Sequence, residues 1–407
     1  MADTNDLGRQ EKKRLLRGRI LPDLTLKDVE ELDEAAQSHR RYLWFRRGAI
    51  LVIAVLVFLG IRSIGGNFTF HKISVSWEKE DVGSSDASYE VFNNQVLKMT
   101  REGVAAISAG GEILWNYGYK MTSPQARVNG KYGAVADIQS ETAVIFGPEG
   151  VTGTVTTNLP ILNFAVSSHG VVALELDESD VNYIYFYDKN GEELDIRIKT
   201  KLAGDGFPMD LSLSPSGTGL MTSVVYMDQG SMQNRVVFYN FDVGKSDSNR
   251  IVGYFTYGET MFPEVKYLTD HAAVAFGDAQ VDFYSLRNES NPKLVTSIPF
   301  ETEIYSVFTG EDRVGVIAEK DGGRELHVYD GAGHAVYTTE ITFDYTSVEF
   351  SGENVLMYNG SDCQILSGSG GVRFEGSMDG AVSKIVMTGS RDALMFSGTT
   401  CKKIRFR

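Results

Sequence analysis

Any chemistry in this 407-residue chain must come from six histidines, two cysteines and a surplus of carboxylates, 54 Asp and Glu against 39 Lys and Arg. His39, His71, His169, His271, His327 and His334 form no HExxH pair and no other recognisable ligand spacing. His327 and His334 flank one hairpin and read as exposed strand neighbours. Cys363 and Cys401 are too few for a disulfide scaffold or a multi-cysteine metal site. They occupy matching places in consecutive repeats, so two unpaired thiols are expected. Asp188-x-Asn190-Gly191-Glu192 has the outline of a calcium loop. Asp330-Gly331-Ala332-Gly333 makes an equivalent turn without those ligands, so a turn is expected in both. The run 367–371 (SGSGG) is followed by no helix, and is therefore neither a nucleophile elbow nor a phosphate loop. Asn67, Asn288 and Asn359 head Asn-x-Ser/Thr sequons, a number that chance gives in a chain of this length. No catalytic residue, metal site or cofactor is predicted.

The elements that would have to position a site are repeats. Residues 104–115 read as a strand, a tight glycine turn and a second strand ending in Trp115. The same shape returns at 184–194 and 326–336, and more loosely at 144–155, 236–252, 281–295 and 364–374. The turns carry Asn-Gly, Gly-Gly or Gly-Ala-Gly because such hairpins need φ > 0. Pro124, Pro160, Pro208 and Pro263 each precede or open an apolar strand, where no ladder bond is lost. A period of about 40 residues with four short strands is the signature of a propeller. Units start near 90, 124, 160, 208, 263, 304, 346 and 381. The eighth has room for three strands only, and the alternating strand 68–77 is placed to complete it. This predicts an all-β, eight-bladed β-propeller over residues 66–407. Loops leading into each inner strand, and loops joining the second strand to the third, share one face. Ligand-face candidates there are Asp205, Phe207, Asp210, Phe262, Glu264, Tyr305 and Tyr345, with the insert 227–234. Aromatics beside carboxylates suit a glycan or a peptide; they equally suit packing between blades.

The segment 104–117 (VAAISAGGEILWNY) resembles the repeat of pyrroloquinoline-quinone-type propellers, within the wider WD40-like class. The quinone enzymes hold their cofactor with a vicinal cysteine pair, which Cys363 and Cys401 do not form, so only repeat shape carries over. The outer-membrane assembly scaffold with the same propeller is a lipoprotein, and this chain has no lipobox cysteine. The whole layout resembles an uncharacterised family of clostridial (Firmicutes) single-pass membrane proteins. That resemblance implies a short cytoplasmic segment, one helix and an extracellular propeller, with no activity to transfer.

Residues 48–61 (GAILVIAVLVFLGI) are the chain's one long apolar run, and 48–64 is expected to be a single transmembrane helix contacting membrane lipid. Tyr42 and Trp44 suit an interfacial aromatic belt, and Arg62 can snorkel outward. The 47 preceding residues and the lack of a small-x-small site argue against a signal peptide. Arg40, Arg41, Arg46 and Arg47 put the N-terminus in the cytoplasm and residues 65 onward outside. Within 1–47, the stretch 25–45 reads as an amphipathic helix opened by Thr25 and Asp28. Residues 1–47 carry a net charge of +2 and the rest −17, which excludes nucleic acid as a partner of the main domain. The combined expectation is a non-enzymatic interaction or scaffold protein of the bacterial cell envelope, with a protein partner or envelope glycan at the propeller face. The alternatives are a glycan- or peptidoglycan-acting hydrolase using two face carboxylates, and a ligand sensor signalling to the cytoplasmic segment.

Overall fold

The computed structural model describes residues 44, 46–48, 50–53, 69–246 and 250–407. The predicted cytoplasmic segment, its amphipathic helix and most of the 48–64 span lie outside these residues. The described part near the span (44, 46–48 and 50–53) is helical. Among the described residues, no helix is long and apolar enough to cross a membrane. Thr69–Arg407 forms a compact unit of its own.

That unit contains eight four-stranded antiparallel sheets among the described residues. Seven are simple meanders in chain order. Their inner strands are Ser88–Phe92, Pro124–Asn129, Ile161–Val166, Phe207–Leu213, Glu264–Thr269, Ile304–Thr309 and Ser347–Ser351, for blades 1 to 7. Each starts within about three residues of the start expected from the repeats. Blade 8 is built from Lys384–Met387, Asp392–Ser397, Thr400–Phe406 and the early strand Ile73–Lys79. Ile73 pairs with Phe406 and Lys79 with Cys401.

Burial follows strand position. Middle strands are covered on both faces and read as apolar runs, as in Tyr132–Asp137 (YGAVAD) and Thr142–Gly147 (TAVIFG). Outer strands alternate, as in Glu193–Lys201 (ELDIRIKTK), because only one side meets a neighbour. The buried side chains gather into eight hydrophobic clusters, each lying between consecutive blades. One of them joins Val386, Leu394 and Phe396 of blade 8 to Tyr89, Val96 and Ile107 of blade 1, so the ring is closed. No blade has a core of its own; each buries its faces on the next.

The turns between third and fourth strands explain two of the suggestive motifs. The Asp188 carboxylate accepts the amides of Asn190 (2.8 Å) and Glu192 (2.9 Å). Asp330 does the same for Ala332 and His334, both at 2.9 Å. Ser108 caps Gly110 and Glu112, and Ser367 caps Gly371. The glycines that follow, Gly111, Gly191, Gly333 and Gly370, have φ of 71 to 86°, which suits a residue without Cβ. The calcium-like and SGSGG sequences are thus one side-chain-capped turn. His327 and His334 do not face each other: His334 meets Asp330 at 3.0 Å and His327 meets Glu325 at 3.2 Å.

Candidate functional site

Inner strands are sheet edges, so their outward amide groups need partners that no fifth strand supplies. Blade 4 provides some of them. Asp210 Oδ2 accepts the amide of Val265 at 2.9 Å, and Ser212 Oγ accepts that of Tyr267 at 2.9 Å. Residues two apart on one strand thereby serve residues two apart on the next, as the period of a strand dictates. The polar groups around the axis then form a network. Arg127 of blade 2 donates to Asn163 of blade 3 at 2.8 Å and lies 3.5 Å from Asp210. Asn163 in turn donates to the other side of that contact, Asp210 Oδ1, at 3.1 Å. On the far side of the ring, Lys384 of blade 8 pairs with Glu349 of blade 7 at 2.6 Å.

Of these residues, Arg127, Asp210 and Ser212 line a central cavity of about 580 Å³, bounded by inner strands of blades 1 to 6. Glu90, Arg127, Asp210, Ser212, Glu264 and Lys266 supply its polar wall. The Glu90, Glu264 and Lys266 side chains are exposed to the channel, while the blades around it displace much of the bulk solvent. That displacement disfavours their charged forms. Burial holds the Glu264 carboxyl above its usual range, with Asp210 adding to the effect. Burial likewise raises Glu90, against the pull of Lys384. Burial lowers Lys266, and the Arg127 guanidinium lowers it further. Behind Asn163 lies Glu175, fully buried, with its carboxylate accepting from Asn182 at 2.9 Å. Desolvation pushes its pKa up to about 8.

The residues expected at the ligand face separate here. Asp210 and Glu264 both reach the channel. Asp210 is occupied: both of its oxygens accept hydrogen bonds that tie blades 3, 4 and 5 together. Phe262 is 0% exposed, packed at 4.5 Å from Tyr257 between blades 4 and 5, and has no surface to offer a ligand. Phe207 is half-buried at the start of its strand. Asp205 is exposed in the loop before it, its carboxylate accepting the Lys201 amide at 3.0 Å. It lines a separate cleft of about 240 Å³ with Arg197, Lys199 and Arg235. Tyr345 is half-buried, sharing a hydrogen bond with Ser306 at 2.8 Å under the Arg324 guanidinium. Tyr305 is exposed. Only Asp210 and Glu264 are brought together.

Sequence reading missed Glu90, Arg127, Asn163, Lys266, Glu349 and Lys384. A signal was present. Glu90, Arg127, Asn163, Asp210, Lys266 and Glu349 fall two or three places after the start of their inner strands. Aligning repeats on the inner strand would have shown a polar column inside an otherwise apolar pattern. Among the described residues, no group of His, Cys, Asp and Glu can hold a metal ion.

Comparison with known proteins adds to the fold. The family model described as a family of unknown function (DUF5711) matches residues 66–406. No curated protein matches the chain. Among solved structures, the chain is similar to BamB from Moraxella catarrhalis, at 12% identity and a TM-score of 0.52, covering 82% of this chain and 100% of that one. It is also similar to the propeller of Dos1, at 10% identity and a TM-score of 0.51, covering 83% and 95%. At such identities the likeness shows a propeller and nothing about activity.

Proposed function

The chain belongs to the DUF5711 family of unknown function, which brings no activity with it, and we propose that it is a membrane-anchored extracellular propeller acting as a non-enzymatic interaction scaffold of a clostridial-type cell envelope. The observation that carries this reading is one projecting hairpin. Its strands, Gly219–Asp228 and Ser231–Asn240, have ten residues each and are the longest described in the fold. At the tip Met227 lies opposite Met232, and the two are 65% and 56% exposed. Arg235 stacks on Tyr226 at 4.3 Å and donates to the carbonyls of Gly204 and Asp205, which pins the hairpin to the loop before it. Leu202 in that same loop is also exposed. Exposed methionines on a braced element suit an adaptable protein contact.

The anchor is supported by the apolar run 48–61 and by its described portion. Ile50, Leu51, Val52 and Ile53 are helical and all exposed. Four consecutive residues go once around a helix, so every face there is apolar, as a lipid-facing helix requires. The arginines at 40, 41, 46 and 47 support the N-terminus-inside orientation. Partners on this reading are membrane lipid at 48–64 and a protein or envelope glycan at the hairpin face.

A photocrosslinking amino acid at position 227, in native membranes, tests the scaffold role. A discrete product from 227, and none from position 295 on an outer strand, is expected. No product from 227 overturns it. The hydrolase reading has one observation in its favour, that Glu90 and Glu264 face one channel and both hold their protons above the usual range. Cleavage of peptidoglycan fragments that is abolished by Glu264→Gln would favour it.

A further inference from the structure

Three ionisable side chains face the central channel with no direct hydrogen bond or contact ion pair among the described residues. Glu90, Glu264 and Lys266 line the same cavity of about 580 Å³. Their charged ends make no hydrogen bond or ion pair within the described residues, whereas the charged groups beside them are taken. Arg127 is engaged by Asn163 and Asp210, and Lys384 by Glu349. The three side chains are exposed to the channel and act on one another as opposite charges across it, so a ligand carrying both signs can reach each group and complete direct ion pairs with them.

The placement of the three groups fixes the kind of ligand. Glu264 and Lys266 stand two apart on one strand, so they project to the same side. Glu90 belongs to blade 1, four blades away in a ring of eight, and therefore lies across the channel from them. A carboxylate suits Lys266, and an ammonium suits Glu90 and Glu264. A simple anion satisfies one group, and a diamine satisfies two while meeting Lys266 with like charge. A molecule carrying both an ammonium and a carboxylate satisfies all three. The volume is in the range of small-molecule pockets, roughly 300–1,000 Å³, and accepts a single amino acid or a short peptide.

We propose that the central channel binds a small zwitterion, an amino acid or short peptide with both termini free, its carboxylate held by Lys266 and its ammonium by Glu90 and Glu264. The site is independent of the scaffold role, since it lies on the axis and not on the projecting hairpin.

Calorimetric titration of the full chain in detergent with alanine, trialanine, N-acetyltrialanine, trialanine amide and putrescine tests the proposal. Binding of alanine or trialanine is expected, with acetylation or amidation weakening the tripeptide at least tenfold. Alanine equal to trialanine assigns the site to free amino acids, and trialanine tighter assigns it to peptides. Lys266→Met should weaken trialanine at least tenfold and leave the amide unchanged. Glu90→Gln should weaken trialanine but not its acetylated form. These paired comparisons are made within each variant, so loss of folding, which would abolish every titration, cannot imitate them. No binding of either zwitterion by the parent protein, equal affinity for capped and free tripeptides, tighter binding of putrescine, or an indifferent Lys266→Met would each overturn the proposal.

Discussion

Glu175 shows what one side chain in the ring sets. It is 1% exposed, its single side-chain donor is Asn182, and its pKa is pushed up to about 8 by burial. The folded protein therefore keeps a proton that the unfolded chain releases near pH 4.5. Stability from this group is full below that pH and is lost as pH rises through about 8. Glu175→Gln keeps an oxygen for Asn182 and removes the titration. It should stabilise the protein by on the order of 3 kcal/mol at pH 7 and by little at pH 4.5, measured by urea unfolding at both. A gain that is equal at the two pH values would mean that folding leaves the proton affinity of Glu175 unchanged. The cysteines make a second case. Cys363 and Cys401 are free, buried, and on the third strands of neighbouring blades, and burial pushes both thiols up to about 12. Iodoacetamide should leave the native protein unlabelled and add two groups after unfolding.

At the scale of elements, blades 2 and 3 meet backbone to backbone. A Cβ on Gly153 would sit 2.3 to 2.5 Å from the Asn190 carbonyl and the Gly191 amide nitrogen, and no flexible atom is there to give way. Gly153→Ala should cost about 1–3 kcal/mol. Gly360→Ala, with nothing within 4 Å, should cost less than about 0.5 kcal/mol; melting curves of the two compare them directly. The blade 8 seam is as specific. Phe406 is fully buried, 4.9 Å from Phe374 and 6.3 Å from Phe70. Phe406→Ala should cost about 3–5 kcal/mol, seen as a lowered midpoint in chemical unfolding. These elements differ in how plainly the sequence displays them. Capped glycine turns such as Asp188–Gly191 and Asp330–Gly333 are local, and their residue types suffice to place them. Phe262 is ambiguous in sequence because an aromatic after a loop fits a ligand face and a core equally. Its burial depends on Tyr257 and on a neighbouring blade. The channel was illegible for a related reason. Glu90, Arg127, Asp210 and Lys266 are scattered over 177 residues and share a wall only once the ring exists, while the repeats announce themselves through their outer hairpins.

At the scale of the whole molecule, the orientation proposed from the arginines at 40–47 has a direct check. Protease added to intact, wall-stripped cells should digest the region after Gly65 and spare residues 1–40; a fully protected propeller would reverse the topology. The closed ring has a further consequence, which concerns time. Ile73 pairs with Phe406, 333 residues later, so the first strand of the propeller to be made waits for the last. At roughly 5–20 residues per second, a ribosome leaves that interval open for tens of seconds. Throughout it, the strand Ile73–Lys79 has no partner and the blade 1 face that will meet Val386 and Phe396 is bare. The nascent domain is then a target for proteases and for mispairing with a second nascent chain. The amount of protein a cell obtains should therefore depend on how promptly synthesis finishes and on what shelters the chain meanwhile, more than on how stable the finished ring is.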